Sequence, residues 1–231
     1  MTLDWTGRMD GGSPRSFPDE LRDPFALDAR SLLTSTTQID PTLALLGQLR
    51  RHHGASADHS IRVARVLITM WRHAPERLGD PEPLLVGGAL HDIGKLFIPA
   101  SILGSDRKLD PTELELVRRH PETGAQVLRR LGFPPVVVAA ARDHHERWEG
   151  GGYPSGVRSS SLHPLTRAVA VADAFVAMIE PGRAYRNPRD GQGALAEVAA
   201  CRGTQFDPEA ADILIASLGS KPRPAEDICA G

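Results

Sequence analysis

A chain of 231 residues with 41% hydrophobic residues can bury a substantial core, and its formal net charge of −2 carries no whole-chain basic signature for a nucleic-acid polymer. Its two cysteines, Cys201 and Cys229, form neither a CxxC pair nor a disulfide framework and read as reduced thiols of a cytoplasmic protein. The first twenty residues lack the apolar core of a signal peptide. The longest near-apolar stretch, 168–179, is interrupted by Asp173 and too short to span a bilayer, so no membrane association is expected.

Residues 1–40 mix Gly, Pro, Ser, Thr and Asp with scattered apolar residues, which predicts a disordered leader with no sensor domain. A helical domain is expected over 41–220 and a disordered tail over 221–231. The first helix follows Asp40 as N-cap and Pro41 at the first position, with Leu43, Leu46 and Leu49 on one stripe. The second is expected over 57–73, carrying Ile61, Ala64, Arg65 and Ile68 at helical spacing. Further helices are expected over 83–92, 111–119, 122–131, 134–145, 165–179, 194–201 and 208–218. The stretch DPTELE has a physical start signal, with Asp110 as cap, Pro111 first and Glu113 in the first turn, where the helix dipole favours an anion. No run sustains strand alternation, so the fold class is all-α.

Histidines and aspartates carry the chemistry. His59, His73, His91, His120, His144 and His145 fall within one part of the chain, and any one of them alone reads as a surface or satisfied core histidine. Their joint placement says more. His59 opens a predicted helix, His91 and Asp92 close one, His120 precedes Pro121, and His144 and His145 close another. Asp173 lies inside the apolar AVAVADAFVAM, where an unpartnered carboxylate is costly. It answers a cation, pairs with Arg167 or Arg183, or faces solvent. Imidazole together with carboxylate suits Fe, Mn, Zn or Ni more than Ca or Mg.

The blocks HSIRV (59–63), HDIGK (91–95), IPASIL (98–103), RRHPETGAQVL (118–128), DHHERWEGGGYPSGV (143–157), AVADAF (170–175) and RAYR (183–186) follow one another in the order of HD-GYP domains. The sequence resembles these cyclic di-GMP phosphodiesterases of the HD metal-hydrolase superfamily over about 55–190. The resemblance implies an HD-domain helical bundle with a C-terminal helical extension of the HD-GYP type. It also implies two divalent metal ions, Fe or Mn first and Zn or Ni as alternatives. His59, His91, Asp92 and Asp173 would bind one, and Asp92 would bridge to a second held by His120, His144 and His145. A bridging hydroxide would then open cyclic di-GMP to linear pGpG, with Asp92 and Lys95 as catalytic residues.

Lys95 would share a helical side with His91 and Asp92 if that helix continues, and would neutralise a phosphate oxygen; otherwise it is a surface lysine. In the glycine-rich loop, Gly152, Tyr153 and Pro154 are by resemblance substrate-side residues or contacts for a signalling-protein partner, and the plain alternative is a buttress for the metal site. Arg183 and Arg186 would hold phosphate by resemblance, or form a solvated pair. A homodimer is left open.

Some positions depart from the family pattern. Val176 stands where similar domains carry a second Asp, the segment IEPGR is one residue longer than usual, and Ala55 replaces the Glu that supports a third metal in one subgroup, so a two-metal centre is expected. His52, His53, His73 and His163 match no block and read as solvated or structural. Two alternatives therefore accompany the cyclic di-GMP reading: an HD phosphohydrolase acting on another nucleotide, and a catalytically weak cyclic-dinucleotide receptor or adaptor.

Overall fold

The computed structural model describes residues 39–180 and 189–219. Outside them lie the expected tail, all but the last two residues of the expected leader, and Arg183 and Arg186. Helix α1 (Ile39–His52) begins before Asp40, so that residue sits in the first turn and is not the cap. The expected leucine stripe also shifts. Leu43 is 54% exposed, Leu46 is half-buried, and the buried side is Thr42, Leu45 and Leu49. Two steps of three residues drift by about 120° around a helix, whereas a three and a four together return to within about 20°.

Helix α2 (Gly54–His73) starts three residues ahead of expectation because His53 caps it: Nδ1 accepts from the Ser56 amide at 3.3 Å. A short α3 (Pro75–Leu78), absent from the sequence reading, leads to α4 (Pro81–Leu90), whose cap Asp80 accepts from Glu82 N at 3.0 Å. Helix α4 stops before His91. The chain then tightens into a 3₁₀ turn, Ile93–Phe97, so Lys95 is placed by that turn and not by a continuing helix. After the unanticipated single turn α5 (Ala100–Leu103), α6 (Pro111–Arg118) shows the expected cap in full: Asp110 accepts from Thr112 and Glu113, and Glu113 returns a carboxylate to the Asp110 amide. Then come α7 (His120–Arg130), α8 (Pro135–Asp143), α9 (Pro164–Ile179), α10 (Gly191–Ala200) and α11 (Pro208–Gly219). Among the described residues the extended pairings are isolated bridges, Arg147 with Arg158 and Arg202 with Phe206, and the fold is all-α.

Helix α2 is the axis. It packs on α4 and α9, with α1 and α11 on its flanks. One apolar cluster joins α2 to α9, α10 and α11 through Val63, Leu67, Phe175, Val198 and Leu214, and a second joins α1, α4, α7 and α8 through Leu49, Leu90, Leu128 and Val137. Fully burying side chains such as Phe175 and Leu67 contributes about 1.5–3 kcal/mol each. The extension formed by α10 and α11 thus clamps α9 against α2. Where the two clusters meet, the ends of α4, α7 and α8 and the flanks of α2 and α9 surround a polar interior.

Candidate metal centre

Helix ends supply most of the interior polar groups. His91 follows the last turn of α4, His144 follows α8, and His120 opens α7. Each turns its Nδ1 to the carbonyl three residues earlier: Gly88 O at 2.8 Å, Ala141 O at 3.0 Å and Val117 O at 2.7 Å. A carbonyl can only accept, so each Nδ1 carries a proton, and in the neutral ring each Nε2 turns its lone pair inward. The unsatisfied carbonyls of a helix terminus thereby fix three imidazole tautomers.

The inward atoms fall into groups whose members lie within 4.8 Å of one another: His59, His91 and Asp173; His120, His144 and His145; and, joining them, His91, Asp92 and His144. Asp92 stands between the first two. Its Oδ2 faces His91 Nε2 at 3.4 Å and His59 Nε2 at 4.0 Å, and its Oδ1 faces His120 Nε2 at 3.1 Å and His144 Nε2 at 4.0 Å. The remaining carboxylate, Asp173, meets His59 Nε2 at 2.8 Å and His91 Nε2 at 3.8 Å. Neither arginine considered for Asp173 is its partner among the described residues. Arg167 pairs with Asp207 at 2.5 Å, and Arg183 lies outside them.

These donors fit a cation. In the neutral rings with Nδ1 protonated, His120 Nε2 and His144 Nε2 set two lone pairs 3.3 Å apart beside a carboxylate oxygen, an arrangement of acceptors that a cation can fill. His91 Nε2 is buried and has no hydrogen-bond partner among the described residues. A positive ion satisfies both conditions, and nitrogen with carboxylate oxygen is the donor set of Zn, Fe, Mn or Ni.

Electrostatics divide the groups. Burial lowers His144 far below the usual imidazole value, with His145, His91 and His120 adding to the effect, and burial takes His145 down to about 4. These rings are neutral, as coordination requires. For His59, burial also acts to lower the value, but hydrogen bonds to Asp173 and Glu180 prevail and raise it to about 9. Burial opposes ionisation of Asp92 and Asp173, yet Lys95 and His91 beside the first, and His59 beside the second, hold both well below the ordinary carboxylate value.

Lys95 is not a free surface lysine: its Nζ donates to Asp92 Oδ2 at 2.5 Å. Val176 is packed in the apolar cluster of α9 and offers Lys95 no polar partner. The loop after His145 folds back onto it. Glu146 Oε1 accepts from Ser155 N and Gly156 N at 2.7 and 2.9 Å, and Tyr153 stacks on the His145 ring with centroids 4.5 Å apart. A side chain at Gly152 would overlap the His145 carbonyl and the Glu146 backbone, so glycine is required there by close approach. Gly152 and Tyr153 also line a pocket of about 260 Å³ together with His144, His145 and Asp173, while Pro154 follows through a cis peptide bond. Arg118 lies over the Tyr153 ring, 5.8 Å from its centre.

Of the unassigned histidines, His73 is exposed at the end of α2 and the other three have structural uses. His53 and His163 cap helices, and His52 Nε2 contacts Ile98 O at 2.7 Å. Glu180 and Glu146 are the site-adjacent residues that the sequence reading missed. Glu180 caps the end of α9 and follows Asp173 by seven residues, close to two helical turns, and that spacing was its available signal.

An all-helical bundle thus brings histidines and aspartates together from α2, α4, α7, α8 and α9 or their ends, in groups that could hold metal ions. The family profile described as "HD domain" matches residues 44–210, and the chain belongs to the HD-domain family, in its HD-GYP branch. It is 35% identical over 171 residues to a cyclic di-GMP phosphodiesterase of Pseudomonas aeruginosa, covering 71% of this chain and 39% of that one. It is 34% identical over 167 residues to 3′3′-cGAMP-specific phosphodiesterase 3 of Vibrio cholerae, covering 72% and 36%. The chain thus spans well under half the length of these curated relatives. An HDG"Y"P protein from Bdellovibrio bacteriovorus superposes with a TM-score of 0.58 at 21% identity, over 82% of this chain and 60% of that one, which establishes likeness of fold. Among the described residues no helix is long and apolar enough to cross a membrane.

Proposed function

We propose that this chain hydrolyses a phosphodiester bond of a cyclic dinucleotide at a two-metal centre, with cyclic di-GMP as the substrate and linear pGpG as the product. The carrying observation is the division of Asp92: one carboxylate oxygen faces the His59 group and the other faces the His120 group. Two cations held close together need a shared anion, and a carboxylate with separated acceptors supplies one. His59, His91, Asp92 and Asp173 would hold one ion, and Asp92, His120, His144 and His145 the other. Fe or Mn fits these donors, as do Zn and Ni. When bound, such a pair acidifies a water and neutralises charge on the phosphate under attack.

The chain's own residues do the rest. Three carbonyls hold three imidazoles in the coordinating tautomer, Lys95 sets Asp92 and places a cationic group at the phosphate side, and Tyr153 stacked on His145 walls the pocket. Arg183 and Arg186 are proposed to hold phosphate, and the loop of Gly152, Tyr153 and Pro154 to offer a partner-binding edge. The domain is proposed to occupy 41–220.

Incubation of the Mn- or Fe-loaded protein with cyclic di-GMP, followed by chromatography of the nucleotides, tests this reading. Accumulation of pGpG, abolished by chelation, is expected. Intact cyclic di-GMP with both metals contradicts it. The likeness to a 3′3′-cGAMP-specific enzyme favours one second reading, in which the mixed dinucleotide is the better substrate. Relative turnover of cyclic di-GMP, 3′3′-cGAMP and cyclic di-AMP decides between them, and tight binding without turnover of any would make the chain a receptor.

A further inference from the structure

His59 is held differently from His91, His120 and His144. Those use neutral backbone carbonyls, whereas His59 Nδ1 lies 2.9 Å from the carboxylate oxygen Oε2 of Glu180. The other oxygen of Glu180, Oε1, accepts from Arg62 Nε at 2.7 Å and Nη2 at 2.6 Å. His59 and Arg62 are three residues apart on one face of α2, and Glu180, the residue that ends α9, follows Asp173 by seven. The imidazole is therefore enclosed by two carboxylates of the same neighbouring segment, Asp173 at Nε2 and Glu180 at Nδ1. Only the Nε2 side opens on the metal centre. Glu180 itself is 11% exposed and is anchored at the end of α9 by its amide on Val176 O at 3.1 Å.

We infer that Glu180 is a positioning residue for His59: it keeps the proton on Nδ1, turns Nε2 toward the cation and, through its charge, strengthens that nitrogen as a donor. The inference rests on the two-metal reading above. The division of labour follows from geometry. Asp173 shares the inward nitrogen and can coordinate, while Glu180 sits behind the ring and acts only through it. Arg62 braces the carboxylate from its far side and ties α2 to α9. A carboxylate behind a coordinating imidazole fixes the ring and raises its basicity, and its removal typically weakens metal affinity 10–100-fold. The His59 group would thus feel one anion more than the His120 group, and its ion would depend on Glu180 while the other ion would not.

Metal titrations of wild type, Glu180→Ala, Glu180→Gln and Arg62→Ala, each followed by equilibrium dialysis and elemental analysis, test this. Wild type is expected to take up two ions. Glu180→Ala should weaken one of them by about 10–100-fold and leave the other unchanged. Glu180→Gln, isosteric and still able to accept from Nδ1, should lose less than the alanine variant, and Arg62→Ala should lose less again. In the zinc-loaded proteins, ¹⁵N shifts of His59 should report one tautomer in wild type and a mixture in Glu180→Ala. Unchanged affinity and an unchanged His59 tautomer in Glu180→Ala, even with a lowered melting temperature, would make Glu180 a helix-to-helix tie and overturn the inference. Wild-type protein that takes up no divalent ion would overturn the two-metal reading itself, and that result appears before any variant is measured.

Discussion

His59, His91 and Asp173 come together from α2, α4 and α9, with Glu180 and Arg62 arranged behind the first of them; His120, His144 and His145 come together from the ends of α7 and α8, with backbone packed behind them. The first group is held largely by charge. The second is held by close approach: a side chain at Gly94 would overlap the His120 carbonyl and the Gly124 amide nitrogen, and one at Gly152 would overlap the His145 carbonyl. Charge acts over several ångströms and is weakened by removing or screening it, whereas backbone contact is sensitive to the volume of a single methyl group. One centre therefore has two halves that should fail in different ways.

Asp92→Asn strikes what the halves share and should have the largest effect. Losing the shared anion is expected to reduce turnover by more than the roughly 100-fold that removal of an outer partner costs, with both ions weakened in titration. If Asp92→Asn weakened only one ion, the carboxylate would belong to one half. Gly94→Ala should strike the second half harder than the first. Its methyl group forces the 3₁₀ turn away from α7 at a cost of about 1–3 kcal/mol, visible as a lower melting temperature. Calorimetric titration should then show the ion at the His120 group weakened more than the one at the His59 group.

Tyr153→Ala comes next, losing the stack on His145 at about 0.5–1.5 kcal/mol, while Tyr153→Phe keeps it and should melt like wild type. The pH response of the chelated protein separates the two halves through His59 and His145. His59, raised to about 9 from 6.5, contributes stability that is complete below pH 6.5 and lost as pH rises through about 9. His145, lowered to about 4, contributes in the opposite sense: the unfolded chain binds its proton first, so stability falls as pH drops from 6.5 through about 4. Melting temperatures of wild type, His59→Gln and His145→Gln across pH 4–9 should show the alkaline loss relieved in the first variant and the acid loss relieved in the second.

Much of this was legible in the residues. Asp110 and Pro111 announced the start of α6, and histidines bracketing apolar runs pointed to helix ends as the place of convergence. What escaped depends on tertiary distance. Leu43 looks like a core residue until the drift of a three-residue spacing carries it to the surface. Glu180 lies 121 residues from His59, so no local pattern could pair them, although its seven-residue offset from Asp173 is close to two helical turns. Gly94 reads as part of a motif, and only the packing of the 3₁₀ turn on α7 explains why a hydrogen is all that fits. The end of α4 was also misplaced, because an apolar run followed by HD reads as uninterrupted helix while the backbone tightens at His91.

The shared role of Asp92 is tested most directly by native mass spectrometry of the Mn-loaded chain beside Asp92→Asn. Two ions per wild-type chain, with neither retained fully by the variant, is the expected result. A single ion on wild type, or two ions retained by Asp92→Asn, would contradict a centre built around one divided carboxylate.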